Sequence, residues 1–140
     1  MRSLGPERVD SIPAGDRPLL TYCVKSHTSL IAWQRANQVA RRVIRASQGH
    51  WKPWAAAVFS QLQRSSLSVQ LNIAEGYARR RRGPFLFHLG VAYGSAVETA
   101  DLLRLCLEEK ILPEDVASSA LRECEETQAL ILGLLKRLRG

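Results

Sequence analysis

Six polar side chains recur at spacings of three and four residues between positions 61 and 79. They are Gln61, Arg64, Ser68, Asn72, Glu75 and Arg79. In a helix this spacing places them along one face. Two chemistries fit such a face: a hydrogen-bonded, ion-paired seam against another helix or a neighbouring subunit, or a polar groove in which Asn72 and Glu75 face a ligand. In the seam, Glu98 is the expected partner of Arg64 or Arg79.

These residues are poorly suited to acid–base catalysis. Glu75 is the one carboxylate in a basic segment, so it should stay ionised and is badly tuned as a general acid or base. The sequence has no His-Glu-x-x-His motif, phosphate-binding Gly-rich loop or nucleophile elbow. His27, His50 and His88 lack glutamates at the spacing of di-iron bundle enzymes. We therefore expect no enzyme activity, no catalytic residues, no metal site, no cofactor and no small-molecule substrate.

Arginines offer a different chemistry, the binding of anions. The candidate nucleic-acid-binding residues are Arg41, Arg42, Arg45, Arg79, Arg80, Arg81 and Arg82. Each cation placed near a phosphate releases condensed counterions, so binding of RNA or DNA through them would be salt-sensitive and largely sequence-independent. The alternative is that the arginines are solvated and serve solubility or assembly. Three aromatic residues near helix ends fit either base stacking or ordinary packing: Trp51, Trp54 and Tyr77.

Charge is distributed unevenly along the 140 residues, which carry a net charge of +7. Residues 28–82 contain ten Lys or Arg and one acid, whereas residues 83–140 contain six Lys or Arg and nine acids. Such asymmetry steers an anionic partner to one surface. It also allows identical subunits to pack with the basic face of one against the acidic face of the next.

Amphipathic helices carry these residues. Residues 1–27 contain scattered Gly and Pro without periodicity, which predicts a flexible N-terminal arm. Helical spacing begins after Ser29, a potential N-cap, and ends near Gly49. Further helices are predicted over about 54–80, from after Gly83-Pro84 to about 110, and from 113 to the end. The predicted fold of residues 28–140 is all-α, an antiparallel up-down four-helix bundle.

The third predicted helix is apolar on more than one side. One set of apolar residues keeps a seven-residue repeat, and a second set, including Phe87, Val91 and Val97, lies on other faces. A helix of this kind must bury more than one side, which predicts a homo-oligomer with this helix near the contact. Gly90 and Gly94, one turn apart, would let two backbones approach closely. Close packing within one subunit is the open alternative.

The residues also carry a family resemblance. Its motifs are Leu30-Ile31-Ala32-Trp33-Gln34-Arg35-Ala36, Gln61 to Arg64, Ser68-Val69, Asn72-Ile73-Ala74-Glu75-Gly76-Tyr77-Ala78-Arg79, Phe85 and Gly94-Ser95-Ala96-Val97-Glu98. Over about residues 28–139 the chain resembles the 23S ribosomal RNA intervening-sequence protein family. The resemblance implies a four-helix bundle that assembles as a ring of five, is often encoded in insertions within ribosomal RNA genes, and has no established biochemical activity. A distant relative, the accessory protein of diversity-generating retroelements, works with a reverse transcriptase and nucleic acid.

The resemblance singles out one set of motif or interface residues. They are Arg64, Ser68, Asn72, Glu75, Gly76, Arg79, Gly94, Ser95 and Glu98. The chain departs from the usual pattern in its longer N-terminal arm, its Trp51-Lys52-Pro53-Trp54 turn and its run of four arginines. The arm and the turn leave the expected fold unchanged, and the arginine run favours a polyanion partner.

The remaining features suggest an intracellular protein. Cys23, Cys106 and Cys124 are an odd number without C-x-x-C spacing, so we expect reduced thiols. No apolar run approaches the roughly 20 residues that span a bilayer, and the N-terminus lacks a signal pattern, which predicts the cytoplasm and no membrane partner. Two functions stay open: an oligomer that binds RNA through a basic face, or a structural or protein-interaction module, for example an accessory to a nucleic-acid enzyme.

Overall fold

A computed structural model describes residues 26–140 of the chain. The predicted arm over residues 1–27 therefore lies almost wholly outside the described residues. Four α-helices follow one another: α1 (Ile31–His50), α2 (Ala56–Ala78), α3 (Arg82–Glu108) and α4 (Glu114–Arg139). Short 3₁₀ turns, His27–Ser29 and Pro53–Ala55, precede α1 and α2. Each helix packs against its neighbours in sequence, and α4 returns to α1. The fold is the predicted antiparallel four-helix bundle.

The start of α1 differs from the prediction that Ser29 caps it. Leu30 occupies the N-cap position and makes no side-chain cap hydrogen bond. The Ser29 hydroxyl instead donates to the Ser26 carbonyl at 2.8 Å, because Ser29 ends the preceding 3₁₀ turn. The Gln34 side chain donates to the Thr28 carbonyl at 2.9 Å and so fixes the turn to the first turn of α1.

The turn between α2 and α3 is sharper than predicted. We expected α3 to begin after Gly83-Pro84, but it begins at Arg82 and includes Pro84 in its first turn. Proline is tolerated there because the first amides of a helix have no intrahelical acceptor. The chain reverses at Arg80, whose φ of 53° is left-handed. At the α3–α4 turn Lys110 has a φ of 56°, and the Ile111 amide donates back to the Cys106 carbonyl, a Schellman-type helix end.

A basic side chain closes each end of the bundle. At one end the Lys52 amine donates to the carbonyls of His50, at 3.1 Å, and Ile111, at 2.7 Å, so it joins the α1–α2 turn to the α3–α4 turn. At the other end Arg82 Nε donates to the Leu138 carbonyl, which joins the start of α3 to the last turn of α4. Both contacts place a cation near the negative end of a helix dipole.

The core runs the length of the bundle. Its largest fully buried apolar side chains include Phe59, Leu62, Ile73, Leu89, Leu103 and Ile131. Burial of each such side chain contributes about 1.5–3 kcal/mol to folding. The seven-residue repeat predicted for α3 faces this core. Of its second apolar set, Phe87, Val91, Val97 and Leu105 are exposed, whereas Cys106 is buried in the core. Across residues 26–140, none of the helices combines the length and apolar character needed to cross a bilayer.

Candidate functional site

The predicted polar face of α2 contacts α3 through four of its six residues, Gln61, Ser68, Asn72 and Glu75. Ser68 and Ser95 join their hydroxyls at 2.8 Å, and the Thr99 hydroxyl donates to the Ser65 hydroxyl at 2.8 Å. Ser65 and Thr99 are buried, so each hydroxyl needs a partner in the protein. We call these contacts, together with those of Asn72 and Glu75 described next, the α2–α3 polar seam. The structure thus supports the seam interpretation within one subunit.

Asn72 is the central residue of the α2–α3 polar seam. Its amide nitrogen donates to the Ser68 carbonyl at 2.8 Å and to the Ser68 hydroxyl at 3.1 Å. Its amide oxygen then faces His88 Nδ1 at 3.0 Å, so Nδ1 carries the proton of this hydrogen bond. Both ends of the Asn72 amide are therefore engaged within the subunit, which leaves the alternative of a ligand groove at Asn72 without support.

Glu75 connects the seam to the arginine run. One carboxylate oxygen accepts from Arg79 at 3.0 Å and lies 3.9 Å from His88 Nε2. Both Glu75 and Arg79 are more than half exposed, so this pair adds at most a few tenths of a kcal/mol. His88 is the seam residue that the sequence reading missed. It lies as far after the Arg80 turn as Asn72 lies before it, which is the expected relation in an antiparallel helix pair.

The partner predicted for Glu98 was wrong. Glu98 accepts from the Gln61 amide at 2.5 Å and bonds neither Arg64 nor Arg79. Arg79 lies at the opposite end of α2, next to the start of α3, so it cannot reach Glu98. Arg64 is exposed on the outer side of α2 and, among residues 26–140, forms neither an ion pair nor a hydrogen bond.

Gly76 and Gly94 have different structural roles. A Cβ atom at Gly76 would meet the His88 Cβ at 2.7 Å and a Phe85 ring carbon at 3.0 Å, so glycine is what brings α2 close to α3. A Cβ at Gly90 or Gly94 would meet nothing within 4 Å. Close packing within one subunit therefore does not explain the Gly90–Gly94 pair.

Exposed apolar residues flank the two open glycines on α3. We define the α3 ridge by the outward-facing residues Phe87, Gly90, Val91, Gly94, Val97 and Leu105. Phe87 is 67% exposed, although a phenylalanine of a single folded chain is usually covered. Contiguous apolar surface of this kind usually marks a contact with another molecule. Glu98 and Asp101 are exposed on the same outer side of α3.

The candidate arginines fall into two separate groups. Arg79 to Arg82 form the α2–α3 turn, and the last turn of α4, which contains Lys136, Arg137 and Arg139, lies at the same end of the bundle. The contact between Arg82 and the Leu138 carbonyl joins the two segments. We call these seven cations the basic end. The sequence did not indicate its α4 members as candidate binding residues, because cations in the last turn of a helix are already explained by the helix dipole.

Arg41, Arg42 and Arg45 lie elsewhere, on the exposed side of α1. Helix α1 begins with Ile31 at the basic end. At 1.5 Å per residue, Arg45 lies roughly 20 Å further along this helix. The three arginines line an open groove of about 660 Å³ between α1 and α4. Arg42 pairs with Glu123 at 2.7 Å across this groove. The seven arginines predicted as one nucleic-acid-binding set thus occupy two surfaces.

Comparison with known proteins shows to which family the chain belongs. The family model described as 23S rRNA-intervening sequence protein matches residues 28–133. The chain belongs to this family. A crystal structure of a protein of unknown function from the S23 ribosomal protein family of Bacteroides thetaiotaomicron has the same fold, with a TM-score of 0.70 and 20% sequence identity. The match covers 76% of this chain and 99% of that one. No curated protein matches the chain significantly.

The aromatic residues of this 23S rRNA-intervening sequence protein mostly pack. Trp51 contacts the ring of Phe59 with ring centroids 5.4 Å apart, and Tyr77 contacts Phe85 edge-on at 6.0 Å. Trp54 is 69% exposed but lies in the α1–α2 turn, at the end of the bundle away from the basic end. The tryptophans therefore do not share a surface with Arg79 to Arg82, as base stacking beside those arginines would need.

The thiols of this family member are buried in the core. Burial raises the pKa of Cys106 and raises the pKa of Cys124 to about 11. The Cys124 thiol donates to the Ala96 carbonyl at 3.1 Å. Cys23 lies outside the described residues. Within residues 26–140 there is no cluster of three or more His, Cys, Asp or Glu side chains with the arrangement of metal ligands.

Proposed function

We propose that this member of the 23S rRNA-intervening sequence protein family is a non-enzymatic, self-associating protein that binds RNA electrostatically through its basic end. The observation that carries the proposal is the convergence of Arg79 to Arg82 with the cations of the last α4 turn. Glu75 is the nearest acid on α2 and is already paired with Arg79. The family description names 23S rRNA, which makes structured RNA the first polyanion to test.

The members of the basic end differ in how free they are to meet phosphate. Arg79 is held by Glu75, and Arg82 is held by the Leu138 carbonyl. Lys136, Arg137 and Arg139 are exposed on α4. We therefore expect the exposed α4 cations to supply most of the phosphate contacts. A guanidinium can bind phosphate through two N–H groups, whereas the lysine amine acts as a point charge.

A salt titration with an RNA duplex tests this proposal. The logarithm of the association constant should fall linearly with the logarithm of salt concentration, with a slope of about −0.9 per phosphate contact on a B-form duplex as a guide. Lys136→Gln/Arg137→Gln should weaken binding at low salt and make the slope shallower. Arg64→Gln/Arg122→Gln removes the same charge from exposed sites elsewhere and serves as the matched control.

The titration also separates the two candidate functions. If the wild-type protein shows no RNA affinity at low salt, the RNA proposal fails and the interaction-module function gains support. If the α4 variant and the control variant lose affinity equally, net charge explains binding and the basic end has no special role. A normal helical circular dichroism spectrum for both variants is expected, because all four substituted side chains are exposed.

Self-association rests on the α3 ridge, and the same ridge supports the second candidate function, a protein-interaction module. Phe87 is more exposed than any other apolar side chain of α3, and Gly90 and Gly94 leave the α3 backbone open to a close neighbour. Phe87→Ser should shift the protein towards monomer in sedimentation experiments while leaving the fold intact. A wild-type protein that sediments as a monomer at micromolar concentration would refute self-association.

A further inference from the structure

Three of the four exposed cations of α1 lack an acidic partner among residues 26–140. Arg41 and Arg45 form no ion pair or hydrogen bond with any residue of the segment 26–140. Arg35 contacts only the side chain of Gln38, at 3.2 Å, and Arg42 is held by Glu123. We define the α1 basic row as Arg35, Arg41 and Arg45, three exposed cations on the outer side of one helix.

The carboxylates of α3 show the opposite pattern. Asp101 is exposed and has no ion pair or hydrogen bond within the described part of the chain. Glu98 is exposed and contacts only the neutral Gln61 amide. Both lie on the outer side of α3, in the half of the helix beyond Gly94, where they border the α3 ridge. The apolar α3 ridge therefore has a negatively charged border.

The hydrogen bonds of the bundle fix the relative heights of α1 and α3. Asn37 on α1 donates to Gln70 on α2. Gln70 lies between Ser68 and Asn72 on α2. These two residues contact Ser95 and His88 of α3, respectively. This places Asn37 level with the stretch of α3 between His88 and Ser95. Because α1 and α3 run in the same direction with the same rise per residue, Arg42 is level with Glu98 and Arg45 with Asp101.

A second route around the bundle gives the same heights. Arg42 pairs with Glu123 on α4, while Cys124 and Gln128 both donate to the Ala96 carbonyl on α3. Glu123 precedes these two residues on a helix antiparallel to α3, so it is level with a position slightly beyond Ala96. Arg42 and Glu98 therefore share a height by both routes.

We propose that the α1 basic row of one copy docks on the α3 ridge of a second copy, with Arg41 and Arg45 beside Glu98 and Asp101. When copies stand side by side with parallel axes, residues at equal height meet, and these heights carry opposite charges. The contact joins two different surfaces of the protein, so it can repeat from one copy to the next. The assembly forms a closed ring if the rotation between neighbouring copies brings the last copy against the first. At the end of the same contact nearest the start of α1, Ile31, which is 60% exposed, is level with Phe87.

Charge complementarity selects this arrangement over a contact between two parallel α3 ridges. Two parallel ridges in register would place Glu98 and Asp101 of each copy against the same acids of the other, which is repulsive. Docking on α1 replaces that repulsion with opposite charges. The inference rests on the self-association part of the proposed function. It assigns the α1 arginines to assembly and leaves the basic end for RNA.

A charge-swap experiment, read by sedimentation without RNA, tests the contact. Arg45→Glu and Asp101→Arg should each weaken association at least about tenfold at low salt, because each places like charges together. The double variant, Arg45→Glu/Asp101→Arg, should recover most of the loss because every contact regains an opposite pair. Arg122→Glu reverses an exposed α4 arginine outside both surfaces and should leave association unchanged.

Several outcomes would overturn the inference, and they are distinct from failure of the proposed function. If the wild type assembles but neither single variant weakens assembly, or the double variant fails to recover, this contact is wrong while self-association stands. If Arg41→Gln/Arg45→Gln lowers RNA affinity without changing sedimentation, the α1 basic row belongs to an RNA-binding surface instead. If the wild type is a monomer, self-association itself fails, whatever the RNA titration shows.

Discussion

Gly76 faces His88 so closely that an added Cβ atom would lie 2.7 Å from the Cβ of His88. Real Cβ atoms do not approach other carbon atoms to this distance, and the contact lies at the base of the histidine side chain, where rotation gives no relief. The absence of a side chain at Gly76 therefore sets the spacing of α2 and α3 at this level. The same close approach brings the His88 imidazole within reach of Asn72 and Glu75.

Gly76→Ala should destabilise the protein. The helices must move apart or the His88 side chain must shift, at a cost of about 1–3 kcal/mol, which exceeds the roughly 0.5–1 kcal/mol that alanine gains over glycine in a helix. Gly133→Ala is the matched control, because a Cβ there meets nothing within 4 Å, and it should raise the free energy of unfolding. Urea unfolding measures both. Equal stabilisation by the two substitutions would contradict the packing role of Gly76.

Asn72→Ala should cost about 1–3 kcal/mol of unfolding free energy, because it leaves the partly buried Nδ1–H group of His88 without its acceptor. Gln61→Ala, which breaks the exposed contact with Glu98, should stay within about 0.5 kcal/mol of the wild type. A double-mutant cycle with His88→Leu checks the mechanism. The combined loss should be smaller than the sum of the single losses, and strict additivity would show that the two side chains are not coupled.

Alkaline pH should destabilise the fold through Cys124. Burial favours the neutral thiol and raises the pKa of Cys124 from 9.0 to about 11 in the folded protein. A folded-state pKa above the unfolded value means that this contribution is complete below about pH 9 and is lost as pH rises from about 9 to 11. Cys124→Ala should flatten that part of the stability profile measured by denaturant unfolding. If Cys124→Ala loses stability over this pH range as the wild type does, groups other than Cys124 cause the loss.

The buried thiols should also react slowly with iodoacetamide in the native state. In a Cys23→Ser background, Cys106 and Cys124 remain as the reactive groups, and both are almost fully buried. Raised pKa values keep the fraction of nucleophilic thiolate low, so labelling requires local or global opening. Mass spectrometry should show labelling that accelerates with urea. Rapid labelling of both thiols without denaturant would contradict their burial.

RNA binding should depend on charge and shape more than on base sequence. At one salt concentration, two RNA duplexes of equal length and unrelated sequence should bind with affinities within a few-fold of each other, because phosphate contacts carry no base information. Competition measurements with the two duplexes provide the check. A difference of two orders of magnitude would require contacts to base edges, which long cations at a helix end are not arranged to make.

The sequence predicted the four helices and the polar contact face, because periodicity and spacing are local properties. Ser68 and Asn72 lie in the seam, as the spacing indicated, and Ser95, a residue of the family motif, is the α3 partner of Ser68. The register of α2 against α3 was not predicted, because it depends on where the chain turns. That position is Arg80, a non-glycine residue in a left-handed conformation that the sequence does not signal. Once the turn is fixed, Gln61 lies near Glu98.

The grouping of cations was less predictable than the helices. Arg41 and Arg79 to Arg82 looked alike in sequence, yet the bundle separates them by several helical turns. Arg137 looked purely structural, yet the bundle brings it to the arginine run. Both differences arise because distances across a bundle depend on which helix ends meet, and composition carries no information on that point. Whether either group binds nucleic acid stays a prediction.

The Lys52 amine joins two turns that are distant in sequence, through the carbonyls of His50 and Ile111. Such a link couples the fraying of the α1 end to that of the α3–α4 turn, so hydrogen exchange at the two turns should respond together to a substitution at Lys52. At the opposite end the Arg82 contact with the Leu138 carbonyl joins α3 to α4 in the same way, so each end of the bundle is tied by one cation of the protein itself.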